Sequence, residues 1–194
     1  MDIEQFVIPI MKEAQCGCGF FVGNNFITAG HVVEISNLPL TIWFNGIKYQ
    51  LNDNNLIKMQ YTKNLSENKQ CGDFAVFALK GINSPLVLAD YEPSKGQELC
   101  CITYDTILAD NNNNVPSIFA KNEQVKKIVT SAVVREERQG NFFACDTKSI
   151  LHKGNSGCPL IDTNNRIVGI LHGGTKIPKC CIFQYAYSIE QLIK

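Results

Sequence analysis

The chain has 194 residues, 45% of them apolar, which suffices for one large globular domain, or two small ones, with a real core. Eighteen basic residues balance eighteen acidic ones, and no stretch sets basic residues among aromatic ones, so nucleic acid and anionic membranes are disfavoured as partners. No segment approaches the roughly 18 continuous apolar residues of a membrane span. The N-terminal MDIEQFVIPIMKEAQ lacks the basic start and apolar block of a signal peptide, so a cytoplasmic location is expected. The nine cysteines (16, 18, 71, 100, 101, 145, 158, 180 and 181) are odd in number and read as reduced, mostly buried thiols rather than a disulfide framework.

Along the chain, Ile3, Phe6, Val7, Ile10 and Met11 recur at the spacing of one helical face and predict a short N-terminal helix. The pattern then turns to short runs of branched and aromatic residues. GFFVG, NFITAG, LTIWFN, IKYQL, LIKMQYT and DFAVFAL form a first set, and ELCCITY, SIFAKN, KKIVTSAVV, NFFACD, CPLID, RIVGILHGG and IFQYAYS a second. Turn signals at Asn24-Asn25, Asn45-Gly46, Gln139-Gly140 and Asn164-Asn165 make hairpins of neighbouring runs, so the sheets should be antiparallel. DNNNN, residues 110–114, reads as a solvated hairpin tip. The Gly-, Pro- and Ser-rich stretch 81–97 separates the two sets. Ser188 and Gln191 have capping-box spacing ahead of a C-terminal helix. The expected architecture is all-β: two packed six-stranded antiparallel barrels, at 15–80 and 98–187, joined by 81–97 and followed by a helix at 188–194, in one domain with a cleft between the barrels.

Ser156 lies between glycines in HKGNSGCPLID, just ahead of an apolar run. A serine hydroxyl is a poor nucleophile until a base takes its proton, so it needs a histidine and a group to orient that histidine. His31, in NFITAGHVV, ends a strand where Ala29 and Gly30 leave room for close approach. Asp73 opens the apolar run DFAVFAL, where a buried acid requires a polar partner such as an imidazole N–H.

TAGHVV, GDFAVF and GNSGCPL, in that order and separated by 42 and 83 residues, resemble the three signatures of chymotrypsin-fold, trypsin-like serine proteases. The GNSG form and the short length are closest in style to the glutamyl-endopeptidase and HtrA-like branches. The resemblance implies a serine endopeptidase with His31 as general base and acid, Asp73 as orienter and Ser156 as nucleophile. It places the oxyanion hole at the N–H groups of Gly154 and Ser156, and it requires no metal or organic cofactor. It further implies a protein or peptide substrate, and restraint by narrow specificity or a regulatory partner. Asn155 stands where secreted trypsins carry the aspartate that pairs with a newly cut N-terminus, so activation by N-terminal trimming is not expected.

By the same resemblance the substrate pocket is walled by Ile150, Leu151 and His152 and by the strand GILHGG, with Leu171, His172, Gly173 and Gly174. Ile150 occupies the position six before the serine where trypsins place an acid, which argues against a Lys or Arg preference. Glutamyl endopeptidases carry a histidine where this chain has Leu171. With His172 one residue later, strand alternation turns the imidazole to the other face unless a bulge intervenes, so an uncharged P1 residue is expected. Other readings carry less. An α/β-hydrolase elbow requires glycine where Cys158 stands and long alternating helices. Cys158 lies two residues beyond the nucleophile position. The cysteine spacings do not reproduce a zinc set. The rival outside the enzymes is a protease-like module that binds a peptide without cutting it.

Overall fold

A computed structural model describes residues 3–12, 15–61, 72–104, 127–148, 151, 154–176 and 179–193. Two antiparallel sheets account for most of them. The first contains β1 (Val7–Met11), β2 (Gln15–Val22), β3 (Asn25–Thr28), β4 (Leu40–Phe44), β5 (Ile47–Leu51), β6 (Leu56–Gln60) and β7 (Phe74–Ala78), in the order β5-β4-β1-β2-β3-β7-β6. The second contains β8 (Val87–Leu88), β9 (Glu98–Tyr104), β10 (Lys127–Gln139), β11 (Phe142–Thr147), β12 (Pro159–Ile161), β13 (Arg166–Lys176) and β14 (Lys179–Tyr185). Its order is β12-β9-β10-β11-β14-β13-β8, and a further β12–β13 pairing closes six of these strands into a barrel. Helix α1 (Gly30–Ser36) follows β3, and α2 (Tyr187–Ile193) ends the chain. This is the two-barrel, chymotrypsin-like all-β architecture that the sequence implies.

Its details differ from expectation in four places. The N-terminal helix is a single 3-10 turn, Ile3–Phe6, after which Val7–Met11 is strand, so the first sheet begins at Val7 rather than at residue 15. All five residues of β1 are buried, and a strand covered on both faces shows no alternation, which is why its spacing imitated a helix. The barrels are not a matched six-stranded pair: the first sheet is an open half-barrel of seven strands among the described residues, and the closed barrel carries β8 as an addition. That two-residue strand lies in the expected connection and pairs in parallel with Arg166–Ile167. Ser188 is not an N-cap, because α2 already starts at Tyr187 and the Ser188 hydroxyl donates back to the Tyr185 carbonyl at 2.7 Å. SIFAKN and DNNNN lie outside the described residues.

The turns follow the local chemistry. Asn45 and Gly46 both take positive φ between Phe44 and Ile47, the geometry a two-residue hairpin requires. The interior is aromatic: Phe20, Phe26, Phe74 and Phe77 fill the first sheet, and Phe143 stacks on Tyr185 in the second at 4.6 Å between ring centres. Every described cysteine is a free thiol. Burial pushes the thiols of Cys101, Cys145 and Cys158 well above the ordinary range, and Cys145 faces Cys181 directly across the β11–β14 pair. No helix among the described residues is long and apolar enough to cross a membrane.

Candidate active site

His31 enters through the start of α1. Ala29 offers no side-chain cap there, and a Cβ on Gly30 would overlap the Gln60 carbonyl oxygen and lie 3.0 Å from that of Phe74, so only glycine fits the junction. The cap comes from across the sheet. Asp73, immediately before β7, accepts the His31 backbone N–H on Oδ1 at 2.7 Å, satisfying one of the helix's open amides with an anion. The other oxygen, Oδ2, accepts His31 Nδ1 at 2.6 Å.

Burial drives the Asp73 carboxyl pKa up, yet hydrogen bonds from His172 and His31 more than offset this and hold it at about 2, below its ordinary 3.8. An ionised carboxylate only accepts, so the Nδ1 of His31 must carry the hydrogen, and Nε2 of the neutral ring keeps its lone pair for use as a base. The carboxylate is itself fixed from the second barrel, where Gln184 of β14 accepts the Asp73 backbone N–H at 2.5 Å.

Ser156 lies on the turn before β12. Gly154 and Gly157 on either side have φ of 99° and 90°, and Gly157 N–H donates to the Leu171 carbonyl at 2.8 Å. A Cβ on Gly157 would overlap the carbonyl oxygen of Cys18 and come within 2.5 Å of Thr28 Oγ1, both in the first sheet. There Cys18 N–H donates to the Ser156 carbonyl at 2.8 Å, so the turn is pinned across the boundary between barrels. From the other side the buried Asn155 donates its amide to the Tyr104 carbonyl at 2.8 Å, and the Tyr104 hydroxyl donates to the Val7 carbonyl. Asn155 thus anchors the serine turn with an uncharged bond.

The Ser156 hydroxyl donates to the His172 carbonyl at 3.4 Å, a long bond. The sequence places His172 on the pocket wall, but its bond to Asp73 carries no sign there. Between Leu171 opposite Phe183 and Gly173 opposite Ile182, β13 bulges, leaving His172 opposite no residue of β14. Its Nδ1 bonds the same Asp73 Oδ2 that His31 uses, and the two imidazoles meet edge to face with centres 5.3 Å apart. Two glycines following the histidine are the only local signal for such a bulge.

The remaining expected pocket residues divide. Leu171 is in the barrel core at 2% exposure, while Leu151 is half-buried against the core. A Cβ on Gly173 would meet open space and one on Gly174 only the Cys180 carbonyl oxygen at 3.4 Å, while the backbone bonds of β13 toward the serine turn run as far as Leu171. Ile150 and His152 lie outside the described residues.

Residues 17–170 match the trypsin-like peptidase domain. The chain belongs to the trypsin-like peptidases. A search of curated proteins found no match to its sequence. Among solved structures, this trypsin-like peptidase is similar to the active form of the M. tuberculosis protease Rv3671c, with a TM-score of 0.66, 19% identity, and coverage of 97% of this chain and 79% of the other. It is similar to a Glu endopeptidase at TM-score 0.64 and 16% identity, covering 96% and 86%. It also resembles a scabies mite inactivated protease paralogue at TM-score 0.69 and 13% identity, covering 98% and 92%. At these identities the likeness is one of fold, and the fold spans both active and inactivated proteins.

Proposed function

We propose that this peptidase is a serine endopeptidase that cleaves through an acyl-enzyme. The observation that carries the reading is the grip of Asp73 on His31: a buried, ionised carboxylate holds both the backbone N–H and Nδ1 of one residue, which fixes the tautomer that general-base catalysis needs. The serine turn is pinned to the same boundary by Cys18. In the proposed cycle Ser156 Oγ attacks the scissile carbonyl while His31 Nε2 takes its proton. Asp73 steadies the imidazolium, and the N–H groups of Gly154 and Ser156 receive the oxyanion, an interaction worth about 2.7–4 kcal/mol per donor in such sites. His31 then protonates the leaving amine, and water releases the acyl group by the same steps in reverse. For attack the Ser156 hydroxyl has to turn from the His172 carbonyl, its long-bonded partner here, to His31 Nε2, and such nucleophile–base bonds form fully only in the substrate complex.

Among the described residues the edge of β13 beyond Leu171 has no strand partner on the serine side, and with Gly173 and Gly174 bare of side chains it suits an extended peptide added as a strand. With the His172 ring bound to Asp73, that imidazole is not available to an acidic side chain of the substrate, which favours an uncharged P1 residue. The free thiols agree with a reducing, cytoplasmic setting.

The rival is a peptide-binding module without turnover, favoured by the serine's present bond and by the inactivated paralogue of the same fold. A fluorophosphonate separates the two. The full chain should gain one covalent adduct, absent in Ser156→Ala, and should cleave a peptide library. An unlabelled, folded chain that binds peptides would establish the module instead.

A further inference from the structure

The proposed cycle uses one imidazole, yet the crevice holds two. Among the described residues, His31, Asp73 and His172 form the one group of three in which potential metal-ligand atoms all lie within 4.8 Å of one another. The two Nδ1 atoms approach a single carboxylate oxygen from two elements, α1 and the bulge in β13. Both side chains are accessible, at 16% and 23% exposure, whereas the carboxylate beneath them is fully covered.

We propose that His31, Asp73 and His172 form a binding site for a divalent transition-metal ion of the zinc class, and that the bound ion reversibly silences the peptidase. The silencing rests on the serine-endopeptidase reading; the site does not. Two imidazole nitrogens and a carboxylate oxygen are a donor set such ions favour, and three protein ligands leave a fourth position for water. Metal–ligand bonds of about 2.0–2.1 Å at a tetrahedral angle separate the ligand atoms by roughly 3.3 Å. The present 2.6 Å between His31 Nδ1 and Asp73 Oδ2 therefore opens by less than about 1 Å.

The proton balance explains the inhibition. Each neutral imidazole carries one hydrogen, now on Nδ1. When Nδ1 binds the ion, that hydrogen moves to Nε2 through solvent, with no net release. His31 Nε2 then holds a hydrogen in place of its lone pair and cannot accept the Ser156 proton. The ion does not touch the serine; it takes the base out of use.

The test uses the full chain with Co²⁺ as a spectroscopic probe and Zn²⁺ as competitor. One Co²⁺ per chain, with tetrahedral d–d bands and no thiolate charge-transfer band, is expected, together with nitrogen and oxygen neighbours in X-ray absorption. His172→Ala and His172→Gln should each weaken binding by more than the roughly 10–100-fold that losing even an outer partner of a ligand costs. Saturating Zn²⁺ should block fluorophosphonate labelling, and a chelator should restore it. Absence of binding, or a thiolate spectrum unchanged in both variants, overturns the site. Unimpaired labelling at saturating Zn²⁺ overturns the silencing. A chain that binds Co²⁺ through these ligands but is never labelled, metal-free, keeps the site and removes the endopeptidase reading.

Discussion

Replacing Asp73 by asparagine keeps the shape and removes the charge, and the structure sets how much that should matter. The carboxyl ionises at about 2 in the folded chain against an ordinary 3.8, a difference equivalent to about 2 kcal/mol in favour of the folded state. Because the folded value is the lower one, this contribution is complete above 3.8 and is lost as the pH falls through about 2. Urea unfolding of the wild type and Asp73→Asn across this range reads the term as a difference, which cancels the other carboxylates. The gap should be about 2 kcal/mol at neutral pH and close progressively on acidification. Activity should fall more steeply, by about ten-thousand-fold, because an amide in this position favours the wrong imidazole tautomer. Two stability curves that run parallel through the acid range, or an asparagine variant that keeps most of its activity, would show that the carboxylate neither anchors the fold nor orients His31.

Three further outcomes follow from the serine turn. Gly157→Ala sets a Cβ against Cys18 and Thr28 at a φ of 90°, so strain and overpacking together should cost about 2 kcal/mol or more in chemical denaturation, with loss of fluorophosphonate labelling; wild-type stability would mean that the turn does not close on the first sheet. Asn155→Ala removes the amide bonded to the Tyr104 carbonyl, and stability should drop by about 1 kcal/mol or more while labelling slows. The intact chain should react without any N-terminal cleavage, and a protein inert until trimmed would refute the role given to Asn155.

His31, Asp73 and Ser156 stand out as candidates in the sequence because each sits in a short motif whose neighbours carry the reason: Gly30 where a side chain would collide, an apolar strand after Asp73, and glycines around Ser156; the bond that joins His31 to Asp73 is the part the structure bears out. The bond of the second imidazole to Asp73 could not be read from the sequence. Whether His172 faces the crevice depends on how β13 registers against β14, and a bulge is a property of two strands, only one of which the motif contains. The same limit explains β1. Its burial on both faces comes from partners elsewhere in the chain, so the segment shows continuous apolarity and no period of its own. Gln184, which holds Asp73 from 111 residues away, carries no local mark at all.

The thiols in the interior have a consequence for the lifetime of the protein. While the chain is folded, Cys101, Cys145 and Cys158 stay protonated and shielded, and oxidants reach them only when the barrel opens. Each opening in an oxidising medium then risks a mismatched crosslink that prevents reclosure. Durability outside a reducing environment therefore follows the population of the opened barrel where reclosing is faster than oxidation, and the rate of opening where oxidation is faster.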